Sequence, residues 1–217
     1  NLSSLKSKPS AKLWTAICLL VAGGMQTLAI APFNYWILGP LSITLILYIT
    51  NGLGSNPLDT GNKKQKNHGP IYGGLFGLGL FGSGASWIYV SIHTYGYASP
   101  ALATFLTLAF VLLLSAFPAL VFWLYFKLKA PSNLKNNQLI NAILFLCLWV
   151  LGDAFRTEFL TGFPWLFLGY GHLHSPLSGW VPILGVYGLT LITVATGIGI
   201  ALILNHTPKY LKPGTVI

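Results

Sequence analysis

The chain has 217 residues, of which 54% are hydrophobic and only 7% charged, with a formal net charge of +9. Soluble domains carry about 25% charged residues, so this composition excludes an ordinary water-facing surface and points to lipid as the solvent. The aromatic share of 14% suits a membrane protein with ring belts at both interfaces.

Apolar runs of about 20 residues are long enough to cross a bilayer as helices. Six are read here, at 13–30, 33–50, 71–92, 101–126, 139–160 and 181–204. A lone span must satisfy its own backbone hydrogen bonds, which requires helix. The runs do not alternate as barrel strands do. The expected fold class is therefore an all-α membrane protein, a polytopic bundle of about six helices, over residues 1–217.

Lys6, Lys8 and Lys12 precede the first run. Ala29-Ile30-Ala31 after it has the form of a signal-peptidase site, but Pro32 follows directly and more spans follow, so the run reads as retained. Between the second and third runs lies a segment rich in Gly, Asn and Lys, with Lys63, Lys64 and Lys66. In the third, Gly77 to Gly82 spells G-x-G-x-x-G with no preceding strand, so it reads as helix packing rather than nucleotide binding. Gly73, Gly77, Gly84 and Ser91 share one side of a helical wheel, a smooth face for a neighbour. His93, near Tyr95 and Tyr97, reads as an interfacial cap. Pro118 is expected to kink the fourth run. Lys127, Lys129 and Lys135 follow it, and Lys209 and Lys212 follow the sixth. If the six runs alternate direction, every lysine falls on one side and Arg156 alone on the other. The positive-inside rule then places both termini in the cytoplasm. The lysines read as anchors at anionic lipid heads, not as a nucleic-acid surface.

Asp153, Arg156 and Glu158 sit at the outer end of the fifth run. Asp153 and Arg156 are spaced i,i+3, so on a helix they can pair. The pair either finishes a helix end or forms a polar site facing a cavity or partner domain. Glu158 reads as a solvated helix-end charge. Residues 161–180 then mix Phe163, Trp165, Phe167, Tyr170 and Trp180 with Gly162, Pro164, Gly169, Gly171, Pro176 and Gly179. Gly and Pro break the helix, and the rings hold the segment at the interface. It is expected to lie on, or dip into, the outer leaflet, as a plain aromatic belt or as a wall of a lipid pocket. His172 and His174 form an H-x-H pair that lacks a third metal ligand. Pro182 opens the sixth run at little cost, and Thr193, Gly197 and Ala201 repeat the small-residue device. Asn205-His206-Thr207 matches a glycosylation acceptor on the side where it stays bare. Cys18 and Cys147 fall mid-span and read as small packing residues.

Two stretches resemble one family. Thr161 to Leu189, "TGFPWLFLGYGHLHSPLSGWVPILGVYGL", and Leu80 to Gly96, "LFGSGASWIYVSIHTYG", are similar to hallmark segments of apolipoprotein N-acyltransferases. An acid, two residues and an Arg before TGFPW, here Asp153 and Arg156, belong to the same pattern. Family members usually carry Glu at Asp153 and Gly at Tyr97. The resemblance implies a bacterial inner-membrane enzyme. It would move an acyl chain from a phospholipid to the N-terminal diacylglyceryl-cysteine of a lipoprotein, with no cofactor, no metal and no nucleic-acid partner. It also implies that the chemistry belongs to a Glu-Lys-Cys set in a nitrilase-like domain outside the membrane. No residue here matches that set, so residues 1–217 are expected to be the membrane part alone, inactive by itself, with the nitrilase-like domain missing. Trp87, Tyr89, Asp153, Arg156, Phe163, Pro164 and Trp165 are expected to contact lipid or substrate beneath that domain. A small multi-pass transporter or a non-enzymatic membrane scaffold remain the alternatives. No ionisable residue lies near the middle of a run, where coupled transport usually needs one.

Overall fold

The computed structural model describes residues 9–53, 67–130, 135–159 and 162–206. Every regular element among them is helical: α1 (Pro9–Ala29), α2 (Leu38–Ile49), α3 (Gly69–Gly84), the single turn α4 (Ile88–Val90), α5 (Pro100–Leu128), α6 (Lys135–Glu158) and α7 (Val181–His206). A π-helical turn continues α4 over Ser91–Tyr95, and two 3₁₀ turns, Leu168–His172 and Ser178–Trp180, lie between α6 and α7. Large apolar side chains cover the outside, among them Leu108, Leu112, Leu139, Leu151, Ile183 and Ile203. Water does not tolerate so much contiguous apolar surface, and hydrocarbon does. The all-α membrane bundle expected from composition is the fold observed.

Four helices have the length and apolarity to cross a membrane, or up to five when the bent pair formed by α3 with residues 88–95 counts as one span. The expected second span, 33–50, contains only the 12-residue α2. At 1.5 Å per residue such a helix is about 18 Å long, short of a hydrocarbon core of about 30 Å. Its first residues are taken up by turns, with Asn34 at φ 59°. The expected third span is likewise not one rod, because the chain bends by 54° between Gly84 and Ile88. Gly82, Ser83, Gly84 and Ser86 contribute little helix propensity at the bend. The sixth span is interrupted at Gly185, whose φ of 63° and ψ of −176° lie outside the helical region. Only a residue without a Cβ adopts that conformation readily.

α3 lies between α1 and α5, and glycines set both contacts. A Cβ at Gly73 would overlap the Pro118 carbonyl, and one at Gly77 would meet the Pro118 ring and the Ser115 backbone. On the opposite face a Cβ at Gly79 would overlap the Leu20 carbonyl, and one at Gly23 of α1 would overlap the Phe76 carbonyl. Lipid gives helices no hydrophobic drive to associate, so close backbone approach and dispersion must supply it. The smooth face expected on the third span is thus met at Gly73 and Gly77. Gly84 instead receives the Leu166 side chain, and Ser91 lies beyond the bend. α5 continues through Pro118.

α2 packs on α7, where Gly197 faces Ile43 and the Pro40 carbonyl. Thr44 Oγ1 donates to the Gly197 carbonyl at 3.0 Å. Ser42 Oγ ties α2 to α1 through the Ala22 carbonyl at 2.7 Å. The core joins all the long helices, with Phe76, Phe122, Phe145 and Trp149 packed ring against ring. Cys18 is half-buried, while Cys147 faces outward from α6 and does not pack inside.

The two ends of the bundle differ. At one end Tyr125 Oη donates to the Gly52 carbonyl at 2.7 Å, and Lys129 Nζ donates to the same oxygen at 3.1 Å. Lys127 lies over the Trp123 ring at 4.7 Å. Lys6, Lys8, Lys63, Lys64, Lys66, Lys209 and Lys212, with Thr207 of the glycosylation pattern, fall outside the described residues. The other end carries Arg156.

Candidate functional site

The last two turns of α6 project Asp153 and Arg156 to one side, as i,i+3 spacing dictates. Arg156 Nη2 donates to Asp153 Oδ1 at 3.0 Å. Arg156 Nη1 donates to the Trp165 carbonyl at 2.9 Å. The guanidinium lies over the rings of Phe167 and Phe81, at 4.5 and 5.1 Å from their centroids. A planar fork that bonds two acceptors and packs on two rings is work for Arg and not for Lys. Only 3% of the residue is exposed, so the pair is an internal fixture rather than a solvated helix end.

The segment after α6 is built around that cation. Gly162, at φ 81°, turns the chain where a Cβ would overlap the Thr157 carbonyl. Phe163 N then donates back to the Arg156 carbonyl at 3.0 Å. Leu166 holds φ 62°, an uncommon conformation for a side-chain-bearing residue, and its methyl groups fill the notch at Gly84. The bend in the third span therefore receives the loop. The break in the sixth span lies alongside. Tyr187 Oη donates to Thr157 Oγ1 at 2.6 Å, since Thr157 gives its own proton to the Asp153 carbonyl. Gly169 N donates to Thr190 Oγ1 at 3.0 Å.

Rings gather at the rim. Phe163 meets Phe110 edge-on at 5.4 Å and lies nearly parallel to Trp165 at 6.2 Å. Trp87 lies 5.5 Å from Trp165, and Trp165 is 54% exposed. Tyr170 Oη closes the turn on the Pro164 carbonyl at 3.0 Å. Two cavities meet at Arg156. The inner one, about 30 Å³, is bounded by Gln26, Trp149 and Asp153 together with apolar side chains. The outer one, about 140 Å³, opens between α5, α6 and the loop along Phe110, Leu113, Phe117, Phe159 and Phe163.

Of the residues expected at the site, Trp87, Asp153, Arg156, Phe163, Pro164 and Trp165 come together. Tyr89 does not: its ring packs on His93 at 5.5 Å. His93 caps locally, its Nδ1 lying 2.8 Å from the Ala98 carbonyl. Glu158 is exposed at the end of α6, as expected. The contributions of Phe81, Phe167, Thr157 and Tyr187 were not legible, since each depends on how the helices rotate against one another.

His172 and His174 part company. His174 is exposed and His172 buried. No group of three His, Cys, Asp or Glu able to hold a metal occurs among the described residues. Thr193 Oγ1 donates to the Leu189 carbonyl at 2.7 Å, so it accepts from His172 Nε2 at 2.6 Å. His172 Nδ1 lies 2.8 Å from Ser175 Oγ. Ser175 Oγ also reaches the His172 carbonyl at 3.3 Å, and burial, which favours the neutral imidazole, lowers its pKa from the ordinary 6.5.

A membrane bundle whose polar centre and aromatic rim occupy one end defines the class. Residues 22–199 match the family described as apolipoprotein N-acyltransferase N-terminal domain. The chain is similar to the apolipoprotein N-acyltransferase of Pseudomonas syringae pv. tomato, 41% identical over 188 residues, which cover 86% of this chain and 33% of the relative. It is similar to that of Pseudomonas putida, 43% identical over 212 residues, or 94% of this chain and 38% of the relative. The Coxiella burnetii protein of the same name is 39% identical over 181 residues, or 82% of this chain and 34% of the relative. The chain belongs to the apolipoprotein N-acyltransferase family. It spans about a third of the length of these curated relatives.

Proposed function

We propose that this chain is the membrane portion of an enzyme that moves an acyl chain from a phospholipid to the N-terminal diacylglyceryl-cysteine of a lipoprotein. The observation that carries the reading is the buried Arg156, which fixes the loop 162–168 beside an apolar groove of about 140 Å³. Hydrocarbon fits the lining of that groove, and an exposed indole at its rim suits an ester–hydrocarbon boundary, where amphipathic rings sit best. The residues present bind and orient lipid. Among the described residues the hydroxyl that meets a base, Ser175 Oγ at 2.8 Å from His172 Nδ1, is buried, and the ring's other nitrogen is engaged by Thr193, so the pair is not presented to a substrate as acyl transfer requires. This chain matches about a third of the length of its relatives, so the proposal assigns the chemistry to the remainder of the complete protein and expects this chain by itself to be inactive. Six passes between the two ends complete the proposal, the second made by the short α2 with its flanking turns, from Gly39 beside Leu168 to Gly52 beside Lys129, with the termini in the cytoplasm and Arg156 at the outer face of a bacterial inner membrane. The lysine asymmetry supports that orientation.

The test is a chimera in which this chain replaces the matching third of a Pseudomonas relative, in cells that depend on that relative. The chimera is expected to support N-acylation of lipoproteins, while the chain alone enters the membrane and leaves them unacylated. Trp165→Ala in the chimera should reduce acylation more than protein level. A chimera that is present in the membrane at normal level yet fails to acylate would contradict the assignment, as would acyl transfer by the chain alone.

A further inference from the structure

Gln26 Nε2 is the one buried side-chain nitrogen or oxygen without a hydrogen-bond partner among the described residues. The residue is 1% exposed and sits on α1, in the wall of the inner cavity that Asp153 and Arg156 also bound. A buried amide N–H without an acceptor is strongly disfavoured. The cavity of about 30 Å³ has room for a small polar guest, since one water needs about 10–15 Å³ measured this way. Asp153 gives Oδ1 to Arg156, and a carboxylate has capacity for further donors.

We propose that this cavity is a built water site. A water accepts from Gln26 Nε2 and donates to the Asp153 carboxylate, so that α1 is joined to α6 through solvent. Gln26 thereby becomes a positioning residue for the pair that holds the loop: it steadies Asp153, Asp153 steadies Arg156, and Arg156 carries the Trp165 carbonyl. The charge of Arg156 beside the cavity disfavours a cation as guest. The volume is too small for an acyl chain. The inference concerns the architecture of the site and stands whatever reaction the complete protein performs.

Two measurements on the full chain in lipid nanodiscs decide it. An experimental structure that resolves ordered water should show density within hydrogen-bond distance of both Gln26 and Asp153. A dry cavity, or a water touching only one of the two, overturns the proposal. Gln26→Leu, close in size, should lower the thermal midpoint by about 2–4 °C, the shift typical of one lost interaction in a chain of this length. In the background Asp153→Leu with Arg156→Met, which has no carboxylate for the water to reach, the same change should lose that cost. A higher midpoint for Gln26→Leu in the otherwise unaltered chain would mean that an orphaned amide had been relieved, and an equal drop in both backgrounds would mean that no link to Asp153 exists. If the double replacement does not fold, the sign of the single variant and the water density still decide.

Discussion

Where α3 meets α1 and α5, glycine stands against carbonyl and no charged side chain takes part. Where α6 meets the loop and α7, an arginine, a carboxylate, hydroxyls and stacked rings make the contact. The first interface depends mainly on shape, with Thr27 adding a hydroxyl link to Leu80 and Ser83, and it has no room for a Cβ at Gly23, Gly73, Gly77 or Gly79. The second depends on donors and acceptors and tolerates irregular backbone, because Arg156 and Thr190 satisfy groups that a helix would otherwise satisfy for itself. A membrane protein needs both. Close-packed helices make the scaffold, and broken backbone is allowed in lipid only where protein supplies its hydrogen bonds.

Substitutions at the two interfaces should therefore differ in kind. The largest effect is expected for Arg156→Met, which leaves the Asp153 carboxylate buried without its cation and the Trp165 carbonyl without its donor. Losing one partner of a buried pair typically costs about 3–5 kcal/mol, read as a lower unfolding midpoint in mixed micelles. Arg156→Lys should recover only part of it, since one ammonium does not reproduce the flat fork. If Arg156→Met were neutral, the polar end would have no more structural weight than a surface pair.

A smaller loss is expected for Gly73→Ala. The added methyl group meets the Pro118 carbonyl, and overpacking of this kind costs about 1–3 kcal/mol. This change should loosen α3 against α5, seen as faster cross-linking between cysteines placed on separated helices, without altering the loop. A loop that responded to Gly73→Ala as strongly as to Arg156→Met would erase the distinction between the interfaces.

The smallest effect concerns pH. His172 is held neutral with a pKa below its ordinary 6.5, so the folded state binds fewer protons than the unfolded state. Its contribution is complete above pH 6.5 and is lost as pH falls from 6.5 through the lowered folded value. The thermal midpoint should decline across that window, and His172→Gln, which keeps an amide in place of the ring, should flatten the decline. An unchanged slope in the variant would assign the pH response elsewhere.

Much of this was legible in the sequence. Apolar run length revealed the long helices because lipid demands continuous hydrogen bonding over a fixed thickness. The Asp153–Arg156 pair followed from i,i+3 spacing alone, and Gly73 and Gly77 announced a close helix contact. The breaks were harder. Gly185 looks like any other glycine in an apolar run, and only its backbone angles set it apart. The bend after Gly84 receives Leu166, which lies far along the chain. His172 gave a metal-like signal beside His174, while its partners Ser175 and Thr193 were uninformative as isolated hydroxyls. Local pattern speaks to elements, and long-range fit decides where they break.

The central claim is that Arg156 carries the loop. Amide hydrogen exchange on the full chain and on Arg156→Met tests it most directly. In the variant, the amides of Phe163 and Gly169, both hydrogen-bonded in this structure, should lose protection while those of α3 and α5 keep theirs. Unchanged protection at Phe163 and Gly169, or an equal loss throughout α3 and α5, would contradict it.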